Sequence, residues 1–274
     1  MLSLFLVTGL SEDNVILSTA FGSTSDPSIF LESILQNNVT GDVVLFVDKE
    51  AHISEKYRSQ TRFTFLNCNA MKYQQYSPLI RRFFWYSEFL RTKNYKKVIH
   101  TDSDDAILQK DPWKYIPSNK ILVGVSPQLI NNTVGNTFFI AKCFGEDELK
   151  RLRPKKTICA GFIGGSVPEF LDLMDKFAFQ ISSIKDKHCL GGFKFDKMQA
   201  GDQAVIIHEL YSDQRESVIL TDCNKGHFLT EKYCIEGASF ENGFIKNSHG
   251  KKPVYVHQYN RRDDLKWAMR KQYQ

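Results

Sequence analysis

Three carboxylates and a hydroxyl stand together at Asp102-Ser103-Asp104-Asp105, directly behind the apolar run Lys97-Val98-Ile99-His100-Thr101. Two carboxylates two positions apart, at a turn where the strand period has broken, can aim at one hard divalent cation. Such a cation prefers oxygen ligands and can be shared with substrate phosphates. Bound that way, it neutralises a departing diphosphate. A solvated acidic turn or a helix cap uses the same residue types, so the cluster acquires meaning only from what surrounds it. Two pairings are open: Asp102 with Asp104, or Asp102 with Asp105.

The surroundings alternate short β-branched or aromatic runs with amphipathic stretches, the pattern of βα units around a mostly parallel sheet. Val15–Ala20 reads as a strand ending in Phe21-Gly22. Ser25-Asp26-Pro27 then caps a helix through about Leu35. Val43–Val47 is apolar throughout, as expected of a strand covered on both faces. Arg62–Leu66 follows as a strand, and Ser77-Pro78 opens a helix with Leu79, Phe83, Tyr86 and Leu90 at i, i+4, i+7 and i+11. That helix feeds the strand Lys97–Thr101, and the acidic cluster falls at its carboxyl end, where open α/β sheets place their ligands. Ile121–Val125, Thr137–Ile140 and Cys159–Ser166 suggest further strands, the last running into a turn at Gly164-Gly165. Helices are predicted from about Pro168 to Ile184 and from Gly201-Asp202-Gln203, and a final strand spans Pro253–Tyr259. No repeat, low-complexity tract or linker interrupts the 274 residues, so a single domain is expected.

Four further positions carry potential chemistry. Asp202 opens a helix, where a carboxylate either caps free amides or points into a cleft as a base. His257 lies on the last strand and shares a face with Tyr255 and Tyr259, whereas Gln258 points the other way unless the strand ends between them. Arg81 and Arg82 flank the apolar stripe of their helix, and one of them can reach an anion.

Taken in order, the Asp102-Ser103-Asp104 cluster, the following Asp111-Pro112-Trp113, the Ala160-Gly161 to Gly165 run, Gly201-Asp202-Gln203 and the late His257 resemble the nucleotide-sugar-dependent glycosyltransferases of the GT-A fold. The resemblance covers about residues 15 to 262, and its most specific part is the neighbourhood of Asp102. It implies one α/β domain with a Rossmann-like, mostly parallel central sheet flanked by helices. About 1–105 would be the nucleotide-binding half and about 106–274 the acceptor-binding half. It further implies transfer of a sugar, with Mn²⁺ or Mg²⁺, from a UDP-sugar to a hydroxyl acceptor such as a glycan. Asp102, Asp104 and His257 would hold the metal. Thr19, Ala20, Phe21, Gly22, Arg81, Ser103 and Asp105 would join them around the donor, with Asp105 on ribose or sugar hydroxyls. Gly164, Gly165, Asp202 and Gln203 would line the acceptor side, and Asp202 would be the catalytic carboxylate. A nucleotidyltransferase shares this metal logic, and a non-catalytic carbohydrate- or partner-binding domain shares the fold.

Composition narrows the alternatives. Hydrophobic residues make up 42% and charged residues 24%, which excludes a disordered chain. The net charge of +5 favours anionic ligands without the dense basic stripe of a nucleic-acid binder. No run reaches the ~18 apolar residues of a membrane span. Met1–Val7 is too short to span and lacks a basic leader region, so it is expected to be a first strand or a chain edge. Six scattered cysteines form no C-x-x-C pair, and sequons at Asn38 and Asn131 matter only in a secretory lumen. A soluble chain, with the cytosol slightly preferred as its setting, is the resulting expectation.

Overall fold

The computed structural model describes residues 13–68, 73, 75–185, 187–190, 201–212, 217–223 and 226–274; the opening Met1–Val7 lies outside them. In chain order the elements are β1 (Asn14–Ala20), α1 (Ser28–Gln36), β2 (Asp42–Val47), α2 (Glu55–Arg58), β3 (Phe63–Asn67), α3 (Pro78–Leu90), β4 (Lys97–Thr101) and β5 (Ala106–Leu108). There follow β6 (Ile121–Leu129), α4 (Val134–Phe144), α5 (Glu146–Leu152), β7 (Lys156–Ser166), α6 (Val167–Ser183) and α7 (Gly201–Ser212). The chain closes with β8 (Val218–Asp222), β9 (Phe228–Leu229), β10 (Ser239–Glu241), β11 (Phe244–Lys246), β12 (Tyr255–His257) and α8 (Asp263–Tyr273).

Seven strands form one sheet in the order β3-β2-β1-β4-β7-β6-β8, parallel except for β7, which runs against both β4 and β6. This is the α/β architecture expected, a mostly parallel sheet between helices. Every residue of β2 is buried, because helices cover both faces. On one face α3 and α6 pack together, each opened by a proline in its first turn, and the rings of Phe83 and Phe177 meet with centroids 4.9 Å apart. A small second sheet, β5-β12-β9, brings the carboxyl-terminal strand against the segment that follows β4.

The chain builds outward from β1 through β2 to β3, then crosses back to lay β4 on the other side of β1. The carboxyl ends of β1 and β4 therefore border the crevice where such sheets bind ligands. Side chains stitch that border together: Ser18 Oγ donates to the carbonyl of Thr101 at 2.7 Å, and Ser103 Oγ to that of Thr19 at 2.7 Å.

Two local expectations are corrected. Thr137–Ile140, expected as a strand, lies inside α4. Asn136, Phe139 and Ile140 are buried there at i, i+3 and i+4, a helical stripe facing α5 and α7, and Gly145 at φ +91° ends the helix. Tertiary packing outweighs the β propensity of the Thr-Phe-Phe-Ile run. Gly164 and Gly165, expected at a turn, are interior residues of β7 paired with Ile99 and Val98. A Cβ on Gly165 would lie 2.5 Å from the Lys120 carbonyl, and one on Gly164 2.7 Å from Ile116 Cδ1, so close packing is what requires glycine here. Among the described residues no helix is long and apolar enough to cross a membrane.

Disulfides join Cys143 to Cys189 and Cys223 to Cys234. The first ties the end of α4 to the turn at 187–190 before α7; the second closes the loop that carries β9. Cross-links of this kind stabilise by about 2–4 kcal/mol each, the longer loop more. Cys143→Ser is expected to lower the unfolding free energy in urea by an amount in that range under non-reducing conditions. A phosphine reductant should lower wild type further than a variant lacking both pairs; equal responses would show that the bonds carry no stability.

Candidate functional site

Arg82 falls on the inward stripe of α3 and is only 2% exposed. Its guanidinium reaches two carboxylates: Nη1 donates to Asp102 Oδ1 at 2.5 Å and Nη2 to Asp202 Oδ2 at 2.9 Å. Asp102 follows β4 and Asp202 opens α7, so one side chain joins the two halves of the chain. Arg81, the arginine expected at the donor, instead donates from Nε to the carbonyl of Tyr76 at 2.6 Å.

The antiparallel register of β7 sets Phe162 opposite Thr101, which brings Gly161 beside Asp102. The register of β12 on β5 sets His257 opposite Ala106, next to Asp105. His257 Nε2 consequently lies 3.3 Å from Asp102 Oδ2 and 3.0 Å from Asp105 Oδ1, while Nδ1 lies 2.9 Å from the carbonyl of Thr230 and 3.5 Å from Cys159 Sγ. One ligand atom from each of Asp102, Asp105 and His257 falls within 4.8 Å of the others. The strand ends at His257, and Gln258 turns into the left-handed region at φ 60°. Both residues thereby reach the same cavity, about 280 Å³ in volume, which Arg82, Asp102, Gly161, Asp202, Gln203 and Arg261 also line.

Charge is organised around this cavity. Burial alone would raise Asp102, but the Arg82 guanidinium and His257 hold it far below the ordinary carboxylate range. Burial alone would lower His257, yet the Asp105 carboxylate, with Tyr255, Cys159 and the bond to Asp102, holds it well above the usual histidine range. Asp202 differs: burial outweighs Arg82 and pushes its carboxyl up to about 6. His100, buried behind the site in β4, is pushed down to about 3 by burial and by Arg82, and stays neutral.

The remaining sequence-predicted residues take distinct places. The structure groups Asp105, rather than Asp104, with Asp102 and His257; Asp104 turns outward and its Oδ1 accepts from Ser25 Oγ at 2.7 Å. Thr19, Ala20, Phe21 and Gly22 border the β1–β4 crevice, with Phe21 edge-on to Trp85 at 5.6 Å and the Gly22 amide donating to Asp48 Oδ2 at 2.9 Å. Gln203 lines the cavity and donates to Asn136 Oδ1 at 2.8 Å. Gly164 and Gly165 sit inside the sheet, away from the cavity where an acceptor role would need them. Of the two arginines after His257, Arg261 lines the cavity and Arg262 is bound to Asp264 and to the carbonyls of Ile235 and Ala238. Sequence reasoning missed Gly161 as the glycine of consequence. Only the register of β7 on β4 singles it out from its neighbours.

The donor set fits a divalent cation. Two carboxylate oxygens and an imidazole nitrogen could together hold a divalent metal ion, and the contact of Nδ1 with the Thr230 carbonyl leaves Nε2 as the atom free to ligate. Bare glycine also keeps the approach clear, since a Cβ on Gly161 would lie 2.3 Å from His257 Cε1 and 2.7 Å from Asp102 Oδ2. In the absence of a cation, the Nε2 proton of His257 balances the two carboxylates. Compared with models of known protein families and with curated protein sequences, the chain matches none.

Gly161→Ala is expected to push His257 and Asp102 apart and to weaken Mn²⁺ binding by an order of magnitude or more, with circular dichroism unchanged. Wild-type Mn²⁺ affinity in that variant would show that the glycine does not shape the group. Arg82→Met strands the buried Asp202 carboxylate and the half-buried Asp102 and should destabilise by about 3 kcal/mol in urea unfolding. A loss below about 1 kcal/mol would mean that solvent already screens the pair.

Proposed function

We propose that this protein is a metal-dependent glycosyltransferase that takes its sugar from a nucleotide-sugar, a UDP-sugar by resemblance, and passes it to a hydroxyl acceptor. The observation that carries the reading is the convergence of Asp102, Asp105 and His257 at the carboxyl end of β4, beside the β1–β4 crevice and on the rim of a cavity that also holds Asp202. A GT-A-like assignment of the fold is supported by the sheet order and by the small second sheet that delivers His257, and it remains part of the same proposal.

Asp102, Asp105 and His257 would hold Mn²⁺ or Mg²⁺, whose charge stabilises the diphosphate as it leaves. Arg82 neutralises and orients Asp102, so the carboxylate is presented in one rotamer. Arg261, on the cavity wall, supplies a further positive charge for a phosphate. The end of β1, from Thr19 to Gly22, offers open backbone and the Phe21 ring to base and ribose. Asp202, with its carboxyl raised to about 6, is a stronger base than an ordinary aspartate and faces the cavity to orient or deprotonate the acceptor hydroxyl. As to setting, two disulfides and the exposed sequon asparagines Asn38 and Asn131 favour an oxidising secretory lumen over the cytosol.

A panel of nucleotide-sugars with and without Mn²⁺ tests the reading. A ligand that binds only the native state adds RT ln(1 + [L]/Kd), about 2.7 kcal/mol at a hundredfold excess. UDP with Mn²⁺ should give such a shift and EDTA should abolish it, as should Asp102→Asn or Asp105→Asn with the fold retained. Asp202→Asn should cut transfer or donor hydrolysis at least a hundredfold while leaving UDP affinity within a few-fold of wild type. Metal-independent turnover would refute the metal role, and release of pyrophosphate from nucleoside triphosphates would reassign the protein to nucleotidyl transfer.

A further inference from the structure

A second cavity lies at the other end of β12 from His257. Its lining comes from three segments: Lys110 just after β5, Gly226 and His227 just before β9, and Lys251 and Lys252 just before β12. Lys252 stands five positions before His257, roughly 16 Å at strand rise, and the two cavities share no lining residue. The second has a volume of about 320 Å³.

Among the described residues, three lysines and a histidine line this cavity and no carboxylate does. The arrangement is held in place: Lys110 Nζ donates to the Lys252 carbonyl at 2.9 Å, and Lys252 Nζ lies 3.0 Å from the centroid of the Phe244 ring. His227 packs on Tyr115 with ring centroids 4.6 Å apart. Burial first, and then the nearby Lys110, push the Lys252 ammonium down to about 8.

Asn247 is 4% exposed, and its Nδ2 is buried with no hydrogen-bond partner. The amide cannot simply be reversed, because Oδ1 already accepts from the backbone amides of His249 and Lys251. Nδ2 is thereby directed at Gly226, 2.6 Å from where a Cβ would stand, and Gly226, at φ +77°, has no side chain to fill that space. Gly226, the backbone wall of the cavity, therefore packs directly on the Asn247 amide, which no side chain could share.

We propose that this cavity is a second binding site, one that takes a tetrahedral oxyanion such as the phosphate or sulfate ester group of a small ligand. Lys110, Lys251 and Lys252 supply the charge, and the His227 ring supplies a further donor. The assignment is independent of glycosyl transfer, since none of these residues belongs to the Asp102 site.

The test uses the full chain in EDTA, so that a cation at Asp102 plays no part. Calorimetric titration with inorganic phosphate and, separately, with sulfate is expected to show saturable binding that chloride at matched ionic strength does not reproduce. Binding of either anion or both upholds the site, and the preference between them identifies the ester. Lys252→Met, which keeps an apolar stem on Phe244, and Lys110→Met should each weaken binding about tenfold, the worth of one charge-assisted hydrogen bond, whereas Lys252→Arg should retain it. Absence of saturable binding overturns the proposal. So does binding that chloride matches, or that survives undiminished in both methionine variants with unchanged thermal midpoints, because the anion would then lie elsewhere, the Arg82 cavity included.

Discussion

The guanidinium of Arg82 carries the structure of the whole candidate site. A buried guanidinium and a buried carboxylate, with a second, half-buried carboxylate beside them, are costly to desolvate, and their mutual attraction offsets that cost only while each keeps its partner. Arg82 meets the condition by its shape: a planar fork with two nitrogens, one for the carboxylate that ends β4 and one for the carboxylate that opens α7. The partners lie 120 residues apart from Arg82 in one case and 20 in the other, so the contact fastens the first half of the chain to the second. Lysine, a point charge on a flexible stem, could not impose the same geometry on both.

From that anchor the rest follows by register. With Asp102 fixed, the single antiparallel strand β7 decides which residue stands beside it, and a side chain there would collide with both Asp102 and His257. The small sheet supplies the other half of the arrangement, since β5 leaves the acidic turn and immediately pairs with β12. Asp105 and His257 face each other because they flank the same pair of backbone neighbours. Backbone hydrogen bonding, which is indifferent to chemistry, thus sets the spacing of the chemically active atoms.

Much of this was legible in the residues. The fully apolar Val43–Val47, the proline-opened helices and the carboxyl-end position of Asp102 are local signals, and local physics settled them. The assembly of Asp102, Asp202 and His257 around one cavity was also anticipated, though from resemblance rather than from periodicity. What escaped depends on partners distant in sequence. Arg81 and Arg82 are equivalent in composition, and only the rotation of α3 on the sheet decides that Arg82 faces inward. Asp104 and Asp105 differ by one position in a turn, and the choice between them is made by Ser25 on one side and His257 on the other. Thr137–Ile140 carries strand-like residue types, yet burial at i, i+3 and i+4 with packing on α5 and α7 wins. Gly164 and Gly165 looked like punctuation, whereas they are flat interior positions demanded by Ile116 and Lys120.

The delivery of His257 by the last strand also bears on how the molecule is born. During synthesis β1 to β4 can pair as they emerge, but β5 has no partner strand until β12 exists. On the ribosome the growing chain therefore carries an acidic turn without its imidazole and an unpaired strand edge exposed to neighbours. The grouping of Asp102, Asp105 and His257 comes into being only after β12 has cleared the exit tunnel. The strand β12 thus acts at once as the closing seam of the small sheet and as the element that brings His257 to Asp102 and Asp105.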